Sequence, residues 1–335
     1  MPGLKKGGRT AATRSARADE DRMREMWASV YLYFAHEPQL TTSEIGRRLY
    51  ISRSKVSRYI SEAKREGFVR IIVEPPAITV LEQELVTRFS LRDAKVVMAD
   101  EDTPETHLVR LLGAAAARYV ERNVHDNMAI GLAGGKSINE TVRALRPGKL
   151  QNVDIYPLVG PTTFDPATSA VGLVRAMWDK YAAGDVRGHQ LAEYLPRNRR
   201  DKQRIADTSP YKEALEAASN VDLALVGVGS VARGSTLVQT LQALAIEVPA
   251  SSVAVGDVAY QLFDADGKHV RSRLDDVVVA VSPSRLRELH EKEGKRVVAV
   301  AGGDHKVEAI AAGLRGRFFD VLVTDERTAR KLLRW

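Results

Sequence analysis

The chain has 335 residues, 44% of them hydrophobic, and it contains no cysteine. This length favours two domains, because single hydrophobic cores stop growing at roughly 250–300 residues. The lack of cysteine excludes disulfides, thiolate metal sites and cysteine nucleophiles, and it fits the reducing cytoplasm. No apolar run reaches the roughly 20 residues that span a bilayer, and the N-terminal stretch lacks the hydrophobic segment of a signal peptide. We therefore predict a cytoplasmic protein that has no membrane partner.

The net charge of +7 is concentrated at one end of the chain. Residues 1–70 contain 15 Lys and Arg against 8 Asp and Glu, a difference of +7, so residues 71–335 sum to zero. A basic head on a neutral body is typical of a nucleic-acid-binding module joined to a domain for small molecules or oligomerisation. We predict a flexible basic arm over 1–20, a DNA-binding domain over 21–76 and an effector and oligomerisation domain over 78–335.

Residues 39–69 have the pattern of two short helices joined by a tight turn. The first helix is predicted over 43–49, the turn over 50–52 and the second helix over 53–66, with Ser52 as its N-cap. A preceding helix with one apolar stripe, and a short wing or link after the second helix, complete the module. The pattern indicates an all-α helix-turn-helix, whose second helix enters the major groove of DNA.

The second helix carries basic and hydroxyl side chains outside its apolar stripe. The spacing buries Val56, Ile60 and Ala63 and leaves Tyr59 facing outward at least in part. Basic side chains here could reach phosphates or guanine edges, and the serines could make shorter contacts. The alternative is a solvated charged face on an ordinary helical bundle. The predicted DNA contacts are Arg53, Ser54, Lys55, Ser57 and Arg58.

From about residue 78 short apolar runs alternate with helical segments, which is typical of an α/β domain with a parallel sheet. A first helix is predicted over 78–89. Strands are predicted at 94–98, 128–132, 154–158, 223–228, 276–281, 296–301 and 321–324. The helices between them are predicted at 106–123, 137–145, 170–182, 211–218, 283–293, 306–314 and 326–333.

Three of these strands lead into glycine-rich turns, at 131–137, 227–230 and 301–306. In open α/β sheets ligands bind beyond the carboxyl ends of strands, and glycine lets an anion approach the amides of a helix N-terminus. Lys136 and Lys306 add positive charge beside those amides. One such turn can need glycine for backbone reasons alone, but three together indicate a site for a small anionic molecule.

Other motifs are weaker. Asp257 could hydrogen-bond sugar hydroxyls, or it could cap a turn. Residues 263–268 have the start of a calcium loop without its downstream glutamate, so we predict an Asp-Gly hairpin turn there. The seven histidines lack metal-ligand spacing, and no nucleophile elbow, kinase motif or Walker lysine pattern is present. We therefore predict no metal, no cofactor, no catalytic residue and no enzymatic activity.

Both halves of the chain resemble the SorC/DeoR family of bacterial sugar-responsive transcriptional regulators. The segment EIGRRLYISRSKVSRYISEAKREGFVRI is similar to the helix-turn-helix of that family. The C-terminal third is similar in DLALVGVGS, in VGDVAYQLFDADGKHV and in VVAVAGGDHKVEAIAAGLRGRFFDVLVTDERTARKLL. The resemblance covers roughly residues 22–335. It implies a Rossmann-like α/β effector domain of the phosphosugar isomerase and deaminase type that has lost catalysis, in tetramers that bind operator DNA.

The resemblance also implies which residues hold the effector. The first glycine turn becomes a phosphate loop, and the acidic and lysine contacts come from later turns. Many relatives have Trp-Gly followed by a polar residue and Thr where this chain has residues 133–137, and residues 160–165 also differ. The lysine in the first turn could strengthen a phosphate site or fill it. The implied effector contacts are Gly134, Gly135, Lys136, Ser137, Gly229, Ser230, Asp257 and Lys306.

The predicted function is a transcriptional regulator of a carbohydrate catabolic operon. A small, phosphorylated sugar would change how subunits are arranged and so alter affinity for double-stranded operator DNA. The predicted assembly is a homotetramer or a dimer. One alternative is an active phosphosugar isomerase with an accessory DNA-binding head, in which Asp257 and Lys306 act as acid and base. The other is a regulator that senses an unphosphorylated polyol.

Overall fold

The computed structural model describes residues 8–69, 78–162, 167–192, 194–231, 235–246 and 253–335. Internal contacts divide the chain into two compact units, Met1–Glu74 and Pro75–Trp335, here called the first unit and the second unit. The predicted fold class is confirmed, because the first unit contains a helix-turn-helix and the second is an α/β domain with a parallel sheet. No helix among the described residues combines the length and apolar character needed to cross a membrane.

The first unit is helical throughout most of its described part. Its helices are α1 (Gly8–Phe34), α2 (Thr42–Leu49) and α3 (Arg53–Arg65). Residues 8–20, assigned above to a basic arm, form the beginning of α1, while residues 1–7 lie outside the described residues. The wing or link predicted at 68–73 lies outside the described residues from residue 70 onward.

Local interactions define both ends of α2. The Thr41 hydroxyl accepts a hydrogen bond from the Glu44 amide, and the Glu44 carboxylate accepts one from the Thr41 amide at 2.7 Å, which forms a capping box. At the other end, Tyr50 stops the helix in a left-handed conformation with φ 56°. A Cβ on Gly46 would lie 2.8 Å from the Ile51 carbonyl oxygen, so the tight turn requires glycine there.

The second helix of the motif, α3, begins and packs largely as predicted. Ser52 is its N-cap, since the hydroxyl accepts a 3.2 Å hydrogen bond from a first-turn amide. Val56, Ile60 and Ala63 are buried. The prediction for Tyr59 was wrong: its side chain is only 2% exposed. The ring can be buried because its hydroxyl finds an acceptor on α1.

The second unit contains a seven-stranded sheet and a small antiparallel sheet. Its strands are β1 (Asp93–Val97), β2 (Ala129–Leu132), β3 (Val153–Pro157), β4 (Val186–Gly188), β5 (Leu223–Val226), β6 (Gly229–Ser230), β7 (Ala254–Val258), β8 (Gln261–Asp264), β9 (Arg296–Val300) and β10 (Val321–Asp325). The large sheet has the order β1-β10-β9-β5-β2-β3-β4, and every neighbouring pair is parallel. The small sheet has the order β6-β7-β8.

Helices connect the strands of the second unit. They are α4 (Thr79–Phe89), α5 (Glu105–Asn123), α6 (Lys136–Ala144), α7 (Ala170–Lys180), α8 (Arg199–Ala206), α9 (Tyr211–Ala218), α10 (Thr236–Ala243), α11 (Leu274–Val277), α12 (Pro283–Glu291), α13 (Val307–Arg315) and α14 (Glu326–Leu333). A 3₁₀ turn, Asp304–Lys306, precedes α13.

One predicted strand, 276–281, was wrong. The first residues of this range belong to α11, and beyond α11 an isolated bridge joins Ala280 to Val159. The Asp275 carboxylate accepts a 2.7 Å hydrogen bond from the Ser272 amide, which favours a turn over an extended start. The apolar run that indicated a strand is buried without a partner strand. The prediction also missed β4, β6, β7, β8, α8 and α10.

The large sheet is buried on both faces, as its apolar strands predict. All four residues of β5 are buried, and they alternate between two core clusters. Leu223 and Leu225 belong to one cluster, and Ala224 and Val226 belong to the other. Since both faces are occupied by packing, the loops at the carboxyl ends of the strands are where this sheet can offer polar groups to a ligand.

Candidate functional site

A cavity of about 220 Å³ lies at the carboxyl ends of β2, β5 and β9, three neighbouring strands in the middle of the large sheet. Each of the three glycine-rich turns selected from the sequence contributes to its wall. All eight residues predicted to hold the effector line this one cavity, and their role as contacts stays a prediction. They are Gly134, Gly135, Lys136, Ser137, Gly229, Ser230, Asp257 and Lys306.

The first wall of the cavity is the turn from β2 into α6. Gly134 is needed for a close approach, since a Cβ there would lie 2.7 Å from the Thr168 carbonyl oxygen. Gly135 precedes the helix with φ 122°, a conformation that favours glycine, and it provides no side-chain cap. The first-turn amides of α6 therefore remain available to an anion, with Lys136 and Ser137 beside them.

The second wall is the small sheet, where Gly229 in β6 pairs with Asp257 in β7. A Cβ on Gly229 would lie 1.9 Å from Asp257 Oδ1, so glycine makes room for this carboxylate. Asp257 is 8% exposed, and its Oδ2 accepts a 3.0 Å hydrogen bond from the Tyr260 amide. Burial raises the pKa of Asp257 to about 6, opposed by that hydrogen bond and by the positive charge of Lys306.

The turn between β7 and β8 is strained and also lines the cavity. Ala259 and Tyr260 adopt φ of 51° and 60°, the left-handed region in which L side chains are disfavoured. The hydrogen bond from the Tyr260 amide to Asp257 helps to hold this conformation. Strained turns of this kind concentrate where a surrounding site needs a fixed geometry.

The third wall is the 3₁₀ turn after β9, which places Lys306 in the cavity. The pKa of Lys306 is lowered because the surrounding protein removes water from the ammonium, despite attraction to Asp257 and Glu105. Asp304, in the same turn, pairs with other cations on α14. Within the part of the chain that the structure describes, neither Lys136 nor Lys306 has an ion-pair partner.

Nine residues besides the eight predicted contacts also line the cavity, and the three of them with ionisable side chains are Glu105, Tyr260 and His305. His305 lies inside a turn that had been selected, and Tyr260 follows Asp257 by three residues, so both carried a local signal. Glu105 is the first residue of α5, and nothing local distinguishes it from an ordinary helix start. It contributes a second carboxylate to the cavity, beside Asp257.

This combination of groups suits a small polyhydroxylated anion. Unpaired ammonium groups and uncapped helix amides bind phosphate or carboxylate oxygens. A buried carboxylate can accept hydrogen bonds from hydroxyls, and when protonated it can donate one. Among the described residues, no group of three or more His, Asp or Glu side chains is arranged to hold a metal ion.

A second candidate surface lies on α3 in the first unit. The four exposed members of the predicted DNA-contact set are Arg53, Ser54, Ser57 and Arg58. Lys55, the fifth member, is half-buried, and its Nζ lies 2.6 Å from Glu25 Oε2. The same carboxylate accepts a 2.9 Å hydrogen bond from the Tyr59 hydroxyl, and these two donors lower the pKa of Glu25. Lys55 therefore already has an ion-pair partner within the first unit.

Both units match known protein families. A family model described as "Putative sugar-binding domain" matches residues 75–334, and one described as "Winged helix-turn-helix DNA-binding" matches residues 30–70. The deoxyribonucleoside regulator of Bacillus subtilis (strain 168) is 28% identical over 313 residues, which cover 89% of this chain and 94% of that protein. The sorbitol operon regulator of Klebsiella pneumoniae is 24% identical over 314 residues, covering 89% and 95%.

Solved structures show the same fold. The crystal structure of the full-length sorbitol operon regulator SorC from Klebsiella pneumoniae has a TM-score of 0.67 at 23% identity, covering 93% of this chain and 98% of that chain. A DeoR family transcriptional regulator from Listeria monocytogenes has a TM-score of 0.64 at 25% identity, covering 76% and 98%. The resemblance inferred from the sequence is thus confirmed, and the chain belongs to the SorC/DeoR family of sugar-binding transcriptional regulators.

Proposed function

We propose that this protein controls a carbohydrate catabolic operon in a bacterium, and that a small phosphorylated sugar bound in the cavity changes its affinity for operator DNA. The observation that carries the proposal is the pair of lysines, Lys136 and Lys306, without an ion-pair partner in the described chain, beside the uncapped N-terminus of α6. Lys136 is exposed, whereas the Lys306 ammonium is held away from water, which is costly unless a ligand supplies the opposite charge. Because its target is chromosomal DNA, the protein acts in the cytoplasm.

The sugar part of the effector is assigned to the remaining polar lining. Asp257 and Glu105 can accept hydrogen bonds from hydroxyls, and Ser137 adds a short polar side chain. The names of two relatives, a deoxyribonucleoside regulator and a sorbitol operon regulator, are consistent with a carbohydrate effector. A phosphorylated sugar satisfies both kinds of group, whereas an unphosphorylated polyol leaves the lysines unpaired.

The regulatory effect requires two arrangements of the protein with different affinity for the effector. We place these arrangements in a homo-oligomer, a tetramer or a dimer, because a single helix-turn-helix reads only one half-site of a symmetric operator. The protein needs no cofactor for this activity. Binding free energy alone, without bond making or breaking, is enough to transmit the signal.

The DNA side of the proposal can be tested with Arg58→Ala and a matched control. Arg58 is exposed on the first half of α3, whereas Arg65 is exposed at its last turn, away from the end that enters the groove first. Loss of a base or phosphate contact should weaken binding by about 1–3 kcal/mol. Arg65→Ala should change it by less than half of that. Fluorescence anisotropy with DNA from the promoter region of the protein's own gene measures both.

The same DNA serves to test the effector. Adding a panel of phosphorylated sugars and their free forms should change operator affinity with at least one phosphorylated member and with none of the matching free forms. In the DNA test of the preceding paragraph, equal DNA affinity of Arg58→Ala and the unmodified protein would contradict the assignment of α3 as the DNA-contacting helix. A response to free polyols alone would contradict the phosphorylated effector and support the polyol alternative.

An aldose–ketose isomerase is the second candidate, and one observation favours it. Glu105, Asp257 and Lys306 line the same cavity, so two carboxylates and an amine are close enough to share a ligand. General acid–base catalysis needs groups of this kind beside the reacting carbons. Incubating the purified protein with each phosphosugar of the panel and following the ketose-to-aldose ratio separates the two functions. We infer that no turnover will be found.

A further inference from the structure

The helix α1 has an apolar side that its own unit does not cover. Trp27 is 67% exposed, Tyr31 49%, Met23 43% and Phe34 39%. At about 100° per residue these four side chains fall within one sector of α1 of roughly 80°. The rings of Trp27 and Tyr31 stack with their centroids 5.3 Å apart, which extends the apolar surface. We call this set of four residues the aromatic face.

The aromatic face does not serve the packing of the three-helix bundle. The residues of α1 that are buried against α2 and α3 are others, Met26, Ser29 and Leu32. Large apolar side chains of a soluble protein are normally exposed singly, and a contiguous set of four marks an interaction surface. Two of the four are Trp and Tyr, residue types enriched at interfaces.

We propose that the aromatic face pairs with the aromatic face of a second copy of this chain, the two α1 helices running antiparallel across a two-fold axis at Trp27. In this arrangement Trp27 meets its own counterpart. Met23 lies opposite the partner's Tyr31, and Glu20 lies opposite the partner's Phe34. Such an interface is isologous, because the same patch contributes on both sides.

Charge complementarity favours this occupant and this direction. The Lys64 ammonium lies over the Phe34 ring, 5.6 Å from its centroid. An antiparallel partner brings its Glu20 to that ammonium, and the two-fold axis repeats the pair. A parallel partner would instead place Glu20 beside the second Glu20. Among the described residues, the partner of Glu20 is Arg24, one turn away and exposed.

The pairing adds to the proposed function a rigid link inside the DNA-binding part itself. Two copies joined through α1 hold their α3 helices at a fixed separation, which sets the spacing of operator half-sites. Linking two binding modules raises overall affinity by the effective concentration of the second module. The aromatic face thus acts on operator affinity without touching DNA.

Cysteine cross-linking of the full-length protein tests the pairing directly, because the natural chain has no cysteine. In the Met23→Cys/Tyr31→Cys variant, the cysteine at position 23 of one copy lies opposite the cysteine at position 31 of the second copy. Trp27 is kept in this variant. Mild oxidation should convert most of this variant into a covalent dimer, and Trp27→Cys should do the same through a single pair. Asp21→Cys, exposed on another face of α1, should remain monomeric on a denaturing gel.

Cross-linking of Asp21→Cys to the same extent would overturn the proposal, since it would show random collision. Absence of a covalent dimer in both test variants would also overturn it, including the case in which another part of the same chain covers the aromatic face. This test contains no DNA and no sugar, so its failure is distinguishable from failure of the proposed function.

A second measurement uses DNA. Trp27→Glu should lower operator affinity by roughly 100-fold, the lower end of the gain from linking two modules. Phe68→Glu is the matched control, because Phe68 is 61% exposed in the same unit but lies outside the aromatic face. Unchanged thermal unfolding of Trp27→Glu shows that the helix bundle is intact. Equal losses in the two variants would contradict a role for the aromatic face.

Discussion

The cations of α3 and the cations of the cavity are held in opposite ways. On α3, Lys55 is bonded to Glu25 at the protein surface, so under the proposed function DNA would compete with a partner that is already in place. In the cavity, Lys136 and Lys306 have no ion-pair partner among the described residues, and the pKa of Lys306 is lowered by loss of water. The first surface can exchange one anion for another at little cost. Under the proposed function, the charge of the cavity lysines is balanced only when the effector's anion is bound.

The strongest test of this difference between α3 and the cavity is Lys306→Met, which keeps the length of the side chain and removes its charge. A charged hydrogen bond is worth about 1.5–3 kcal/mol, so affinity for the sugar phosphate should fall roughly 10- to 100-fold. Operator affinity without sugar should stay the same. Isothermal titration with the sugar phosphate that gives the largest thermal shift in the unmodified protein measures the first quantity, and anisotropy measures the second.

Lys331→Met is the control for this substitution. Lys331 pairs with Asp304, in the same turn as Lys306, but it is absent from the cavity lining. Its loss should leave sugar phosphate affinity within about two-fold, as expected for an exposed ion pair. If Lys306→Met weakened operator binding and sugar binding together, Lys306 would be a structural residue and the contrast between the two surfaces would fail.

The two surfaces also differed in how far the sequence predicted them. The helix-turn-helix was predicted with its cap, because its signals lie within one contiguous segment of period 3.6. Tyr59 was misplaced because its acceptor, Glu25, is 34 positions away on another helix. The partner of Lys55 is the same Glu25, 30 positions away, and it was missed for the same reason. A local pattern predicts where a helix begins, but it does not show which side chain of another element reaches it.

Prediction of the complete cavity requires information on which distant segments of the chain meet. Its glycine turns were found because glycine marks a backbone demand locally, as the φ of 122° at Gly135 shows. That these turns meet follows from the strand order, which makes β2, β5 and β9 neighbours. Glu105 was missed because a helix start carries no such mark. The strand predicted at 276–281 was wrong because burial alone does not distinguish a paired strand from a buried connection.

A smaller effect is expected from Asp257→Asn, which tests whether the buried, ionised Asp257 carboxylate destabilises the folded protein. The folded pKa of Asp257 is about 6, above its ordinary value of 3.8, so its contribution to stability is fully present below about pH 3.8 and is lost as the pH rises through about 6. The unmodified protein should therefore lose on the order of 2–3 kcal/mol of unfolding free energy relative to the variant between about pH 4 and 7.

Urea unfolding of both proteins at several pH values gives this difference. Asparagine can still accept the hydrogen bond from the Tyr260 amide, so the β7–β8 turn should be kept. Asp266→Asn is the control, because it removes an exposed carboxylate that pairs with Lys268 in the next turn and lies outside the cavity. Parallel curves for the protein and Asp257→Asn would mean that the carboxylate is not destabilised by burial.

The smallest effect is expected from Glu25→Gln, which makes Lys55 resemble the cavity lysines by removing its partner. The amide oxygen of glutamine can still accept from the Tyr59 hydroxyl, so α1 and α3 should stay together. Exposed ion pairs contribute about 0.2–1 kcal/mol, so the freed ammonium should raise DNA affinity by only a few-fold at low salt. If Lys55 then contacts a phosphate, the slope of log affinity against log salt should steepen by about one.

Two comparisons isolate the freed lysine from the change in net charge. Glu37→Gln removes one negative charge from the same unit without releasing Lys55, so it should change the salt slope much less. Adding Lys55→Ala to Glu25→Gln should cancel the gain, because the cation responsible is then gone. If the double variant kept the gain, Lys55 would not be the group that Glu25 restrains. The exchange of a protein carboxylate for a DNA phosphate would then have to be assigned to another side chain of α3.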